Sequence, residues 1–323
     1  MLRIKKRRVH NHTPMGIKAW LVLAGFLGLV LLMGFGHKAK AAERIVTIDG
    51  SVTEIVFALG FGDQVVGRDI TSRYPQAVND LPDVGYMRQL TVEGVLSLAP
   101  TLIIATSDAK PSKTLERLQA SGVRVEIIEN TPTLEGILFK VERIAAVLGV
   151  PEKGAQLNLT IKHDFEQALA QIEQQQAGLL AKPQGIFVLS VRNGNLSVAG
   201  QGSRANELLK MIGVNNPVEM QIHNYQLLSA EAAININPDF IFMLEQGVSM
   251  SGGQQAVLNN PVLKHTRAFE QQRLIIMPND ALSFGPRLGQ MVTQVFQQWQ
   301  QESMMTPTAN KNFIQRVNHQ PEG

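Results

Sequence analysis

Leu90-Thr91-Val92-Glu93-Gly94-Val95-Leu96-Ser97-Leu98-Ala99-Pro100-Thr101-Leu102-Ile103-Ile104 is echoed by Leu228-Ser229-Ala230-Glu231-Ala232-Ala233-Ile234-Asn235-Ile236-Asn237-Pro238-Asp239-Phe240-Ile241-Phe242, with leucine, glutamate and proline at the same offsets. In each copy Thr or Ser opens a helix, Glu sits in its first turn, Pro stops it, and an apolar run of strand length follows. A βα fold reusing a good cap accounts for either copy alone, because an acid is favourable near a helix N-terminus. Two copies at equivalent places point to a chain built as two similar halves, with a role shared by both.

The rest of the chain fits that division. In the first half, Arg44 to Ile48, Gln64 to Arg68, Thr101 to Ala105 and Val123 to Ile128 read as strands. Helical patterns alternate with them at Val52 to Leu59, Thr91 to Leu98 and Ser112 to Ser121. Such alternation implies a mostly parallel sheet flanked by helices. A helix over Leu134 to Leu148 is closed by Gly149. Pro151 then opens a second, reaching about Gln176, with Ala155, Leu159, Phe165, Leu169 and Ile172 roughly at helical spacing. A helix of that length spans ~37 Å, too long for a crossover within one small lobe, and suits a strut between two. Strands follow at Gly185 to Val191, Phe240 to Leu244 and Ile275 to Met277. Helical patterns lie at Ala205 to Ile212 and from Val292 to Trp299, with a further apolar segment at Val257 to Leu263. The expected fold is α/β: two lobes, each a mostly parallel sheet flanked by helices, joined by one long interlobe helix. The expected divisions are 42–150, 151–178 and 179–302, with a polar tail over 303–323.

Ahead of the first lobe, Arg3, Lys5, Lys6, Arg7 and Arg8 precede an uncharged apolar run from Ala19 to Phe35 and an Ala39-Lys40-Ala41 site. This order reads as a secretory signal peptide over 1–41, cleaved after Ala41. The apolar run also approaches the length of a retained anchor. Removal of 1–41 leaves 22 of the 30 basic residues against 27 acidic ones, a net charge of −5. An acidic working protein argues against nucleic acid as a partner. The absence of cysteine excludes disulfides, thiolate metal sites, cysteine nucleophiles and a lipid-attachment cysteine. No Gly-x-Ser-x-Gly elbow and no His-Glu-x-x-His zinc motif is present, so nothing marks an enzyme. Gly200-Gln201-Gly202-Ser203 lacks the lysine of a phosphate loop and reads as a tight turn with a serine cap, although its amides could meet a carboxylate.

Three segments carry a resemblance: Asp69-Ile70-Thr71-Ser72-Arg73-Tyr74-Pro75, Val84-Gly85-Tyr86-Met87-Arg88-Gln89-Leu90 and Ser283-Phe284-Gly285-Pro286-Arg287. From about Arg44 to Gln300 the chain resembles the binding proteins that serve cobalamin, siderophore and haem importers, and within that group the haem branch. The resemblance implies a periplasmic, monomeric protein that takes haem in the cleft between two lobes. It would pass the haem to an inner-membrane ABC permease and ATPase, fed indirectly by an outer-membrane haem receptor system. A ferric siderophore or cobalamin is the alternative ligand on the same fold.

By that resemblance Tyr86 is the axial ligand of the haem iron, a hard anionic donor suited to ferric iron. Its position also suits a half-buried loop tyrosine. Arg287 is expected on the facing lobe, where its guanidinium would favour the phenolate. Arg73 and Arg88 are candidate partners for the haem propionates or, equally, solvated surface charges. Tyr74 and Tyr225 could line the cleft or pack within a lobe. The histidines beyond the leader are His163, His223, His265 and His319; His163 falls on the strut and His319 in the tail, and His223, in a loop near Tyr225, is the one kept as a candidate second ligand. Glu93 and Glu231, one on each lobe, are implied as carboxylates that dock on arginines of the permease dimer.

Overall fold

The computed structural model describes residues 42–304, except 179–180 and 193–194. The expected signal peptide lies outside the described residues, as does the tail beyond residue 304.

The first half forms β1 (Ile45–Ile48), α1 (Gly50–Ala58), β2 (Val65–Arg68), α2 (Val92–Leu96), β3 (Leu102–Thr106), α3 (Ser112–Ala120) and β4 (Arg124–Ile128). The four strands make one sheet in the order β2-β1-β3-β4, parallel throughout. β1 and β3 are buried at every position, as expected of central strands covered on both faces. α4 (Leu134–Val147) and α5 (Pro151–Gln176) follow. Gly149, with φ 74°, makes the left-handed turn that ends α4, and Pro151 opens α5 where a missing N–H costs nothing.

The second half comprises β5 (Gly185–Arg192), β6 (Asn195–Ala199), α6 (Arg204–Met211), β7 (Tyr225–Leu228), α7 (Ala230–Ile236), β8 (Phe240–Leu244), α8 (Glu245–Met250), α9 (Gln254–Leu258), α10 (Arg267–Glu270), β9 (Leu274–Met277) and α11 (Leu288–Met304). Its five-stranded sheet runs β7-β6-β5-β8-β9. β5, β8 and β9 pair in parallel, but β5–β6 and β6–β7 are antiparallel. The second sheet is therefore mixed, where the sequence pattern predicts a mostly parallel one. β6 (NLSVA) and β7 (YQLL) mix polar with apolar residues and so lack the continuous apolar run that marks a buried parallel strand.

The repeat holds in atomic detail. Thr91 accepts a hydrogen bond from the Gly94 amide, and Ser229 from the Ala232 amide, at 3.2 and 3.1 Å. The residue before each proline, Ala99 or Asn237, has a positive φ (44° and 41°), which turns the chain out of the helix and into the strand. Asn tolerates that conformation better than Ala.

α5 buries Gly154, Ile161, Phe165, Ala168 and Ile172, a stripe at helical spacing. Phe165 and Ile172 lie on this face as the sequence pattern predicts, whereas Ala155 and Leu159 are exposed, Leu159 to 65%. The helix packs on α4 and α11. Gly289 lets α11 approach so closely that a Cβ there would fall 2.7 Å from the Asp164 carbonyl oxygen. One core cluster includes Ile45, Ile104, Phe165, Phe187, Phe242 and Phe296, so α5 joins both sheets to a common apolar interior.

Candidate functional site

The residues that follow the carboxyl ends of the strands converge on one cavity of about 270 Å³. Open α/β sheets present ligands at this edge. One wall is Thr71, Tyr86, Met87, Arg88, Asp108 and Asn130; the other is Gly202, Ser203, Arg204, Tyr225, Leu244 and Asp280.

Tyr86 reaches the cavity from a pinned turn. Asp83 accepts the Gly85 amide at 2.7 Å, the Gly85 carbonyl accepts the Ile70 amide at 3.1 Å, and the Tyr86 carbonyl accepts the Gln89 amide at 2.7 Å. Gly85 has φ 94°, a backbone state in which a side chain would be strained. The ring that follows is 38% exposed, while the neighbouring Met87 is buried. Arg88, exposed, stands on the same wall. Tyr225 faces them from the start of β7, edge-on to Phe187 at 6.4 Å between centroids. Burial pushes its phenol up, against the opposing pull of Arg204 and Arg88.

The cavity floor is a charge network. Arg204, the first residue of α6, donates to Asp49 at 2.7 Å and Asp108 at 2.9 Å. Asp49 also accepts from Ser51, Thr106 and Asn130. Burial alone would raise the Asp49 carboxyl, but Arg204 and Lys140 outweigh it and hold the group well below the carboxylate range. Lys140 is fully buried, its ammonium donating to Ser51 at 2.7 Å, Asn130 at 2.7 Å and the Phe284 carbonyl at 3.2 Å. Burial pulls its pKa down to about 8.

The structure brings Tyr86, Arg88 and Tyr225 together but not the rest of the expected set. Arg287 does not line the cavity beside Tyr86. It donates to Glu54 at 3.0 Å and Asp280 at 2.6 Å, and its guanidinium lies 3.6 Å from the centre of the Tyr74 ring. Two carboxylates in a half-buried setting hold it there, so Tyr74, not Tyr86, is the tyrosine it meets. Arg73 also lies outside the cavity lining and reaches across to Gln246 of the second lobe at 3.3 Å. His223 is exposed on the second lobe, its ring over Gly202, a cavity residue. The Gly200 to Ser203 turn is the expected serine cap, Ser203 accepting the Asn206 amide at 3.1 Å, and it also forms part of the cavity wall. Glu93 and Glu231 are exposed, one on each half, with no ion pair to either among the described residues. Asp49, Asp108, Lys140 and Arg204 escape sequence reasoning because isolated charges carry no spacing signal. No group of three His, Asp or Glu fit to hold a metal ion occurs among the described residues.

Two α/β halves bridged by a long helix, with a polar-floored cleft between them, are the architecture of a cleft-type substrate-binding protein. The chain belongs to the periplasmic binding protein family, whose model matches residues 45–281. It is similar to the haem-binding protein RhuT of Roseiflexus sp. RS-1, at TM-score 0.76 and 32% identity over 82% of this chain and 100% of that one. It is also similar to the haem-binding protein HutB of Vibrio cholerae, at TM-score 0.66 and 32% identity over 82% and 100% of the two chains. Among curated relatives, the vitamin B12-binding protein of Photorhabdus laumondii is 28% identical over 74% of this chain and 82% of its own length. The ABC transporter substrate-binding lipoprotein YvrC of Bacillus subtilis is 27% identical over 77% of each. Family membership implies ligand capture for an ABC importer, and a working location in the periplasm or otherwise outside the cytoplasm.

Proposed function

We propose that this protein captures haem in the interlobe cleft and delivers it to an inner-membrane ABC permease and ATPase. The observation that carries the reading is Tyr86, an exposed phenol on a rigid turn at the cavity mouth, with a second tyrosine and an arginine beside it. The structures at 30–32% identity named as haem-binding proteins support it. In this reading Tyr86 ligates ferric iron through its phenolate. Arg88 takes over the part that sequence reasoning gave to Arg287, favouring the anion electrostatically, and is the nearer propionate partner; Arg73 serves at the rim. His223 is the reserve second ligand. The acidic protein works as a periplasmic monomer after loss of residues 1–41, its lobes at 42–150 and 179–302 joined by 151–178. Glu93 and Glu231 dock each lobe on the permease, setting orientation and on-rate more than affinity.

The second reading is cobalamin, favoured by the vitamin B12-binding relatives. An absorption titration of residues 42–323 with ferric haem, wild type beside Tyr86→Ala, separates the two. Saturable binding with a tyrosinate high-spin spectrum, lost in the variant, is expected. No saturable uptake of haem, with saturable uptake of cobalamin, would replace the haem reading by the cobalamin one.

A further inference from the structure

We propose that Arg204 is a positioning residue that pins the two lobes together and so sets the width of the ligand cleft. The residue stands on the second lobe, yet both of its carboxylate partners come from the first: Asp49 at the end of β1 and Asp108 after β3. Its other terminal nitrogen donates to the Leu282 carbonyl at 3.1 Å, which fixes the guanidinium within its own lobe. Asn130, on the first lobe, donates to both carboxylates, at 3.3 Å to Asp49 and 2.8 Å to Asp108, and so holds the acceptors in register. Lys140 adds a parallel tie from α4 to the Phe284 carbonyl. Arg287 adds another from the start of α11 to Glu54 on α1.

The pin is buried at one end and reached by solvent at the other: the Asp49 side chain is 1% exposed, that of Arg204 21% and that of Asp108 36%. Removing one partner leaves a buried charge uncompensated, which is costly. Because Ser203 and Arg204 also line the cavity, any change in the pin moves the wall that faces Tyr86.

The chain has no cysteine, so Gln119→Cys on the first lobe and Lys264→Cys on the second, both exposed, provide two unique spin-label sites. The interlobe distance distribution, measured by pulsed dipolar spectroscopy, is expected to be narrow in the labelled parent. In Arg204→Met it should broaden or lengthen, while haemin affinity falls about tenfold or more. A folded Arg204→Met protein with the parent's distribution would overturn the proposal. If that variant does not fold, Asp108→Ala decides in its place: the Asp108 side chain is 36% exposed, and its truncation removes one of the two pin contacts. A broadened distribution in the folded Asp108→Ala protein supports the pin, and the parent's distribution there rejects it. The distance measurement needs no ligand, so it stands or falls apart from the haem reading.

Discussion

Replacing Lys140 by methionine should change how stability depends on pH. The ammonium is completely buried, and burial lowers its pKa from the ordinary 10.5 to about 8, with Asp49 offsetting part of the loss. A lysine whose pKa is depressed by folding binds its proton more weakly in the native state than in the unfolded chain. Between pH 8 and 10.5 the unfolded chain therefore holds more protons, and native stability rises as pH rises through that window. Integrating over the two values, wild type should gain a few kcal/mol, on the order of 2–3, from this group between pH 7 and 10. Methionine of similar length keeps the packing but cannot titrate. Urea unfolding of both proteins at pH 7, 8, 9 and 10 gives the comparison, because other groups contribute alike to each and cancel in the difference. Wild type should move upward relative to Lys140→Met by ~2–3 kcal/mol across the series. A difference that stays flat would show that Lys140 keeps an ordinary affinity for its proton, and the account of the buried network would be wrong.

Gly289→Ala should destabilise the protein by ~1–3 kcal/mol, since the new Cβ would press on the Asp164 carbonyl and part α11 from α5; an unchanged urea midpoint would contradict that packing. Glu93→Ala and Glu231→Ala should leave haemin binding unaltered and lower uptake by vesicles carrying the cognate importer. The loss should shrink as salt screens the wild-type contact. Equal uptake by both variants and wild type at low salt would remove the two carboxylates from the docking role.

Much of the frame was legible along the chain because it is local. The caps at Thr91 and Ser229, the prolines at 100 and 238, the strand runs after them and the long helix from Pro151 all depend on neighbours within a few residues. The Asn193-Gly194 dipeptide is a hairpin signal that went unused. Read with it, Asn195 to Ala199 would have been recognised as an antiparallel partner of β5. Tyr86 stands out through its flanking motif, and its turn puts the ring among the residues that line the cavity.

Charge partners were not legible, because an ion pair has no period. Arg204 and Asp49 are 155 residues apart, and Arg287 and Glu54 are separated by 233. No spacing rule connects them; only the docking of one lobe on the other does. That docking sent Arg287 to Glu54, Asp280 and Tyr74 instead of Tyr86, since two carboxylates outbid a single phenol for a guanidinium. Hydrophobic period and capping chemistry fix the helices, the buried strands and the twofold plan along the linear chain. Which charges line the cleft, and which are spent holding it at its width, was decided by tertiary structure, because burial and distance set the strength of a charge and neither is a property of the linear chain.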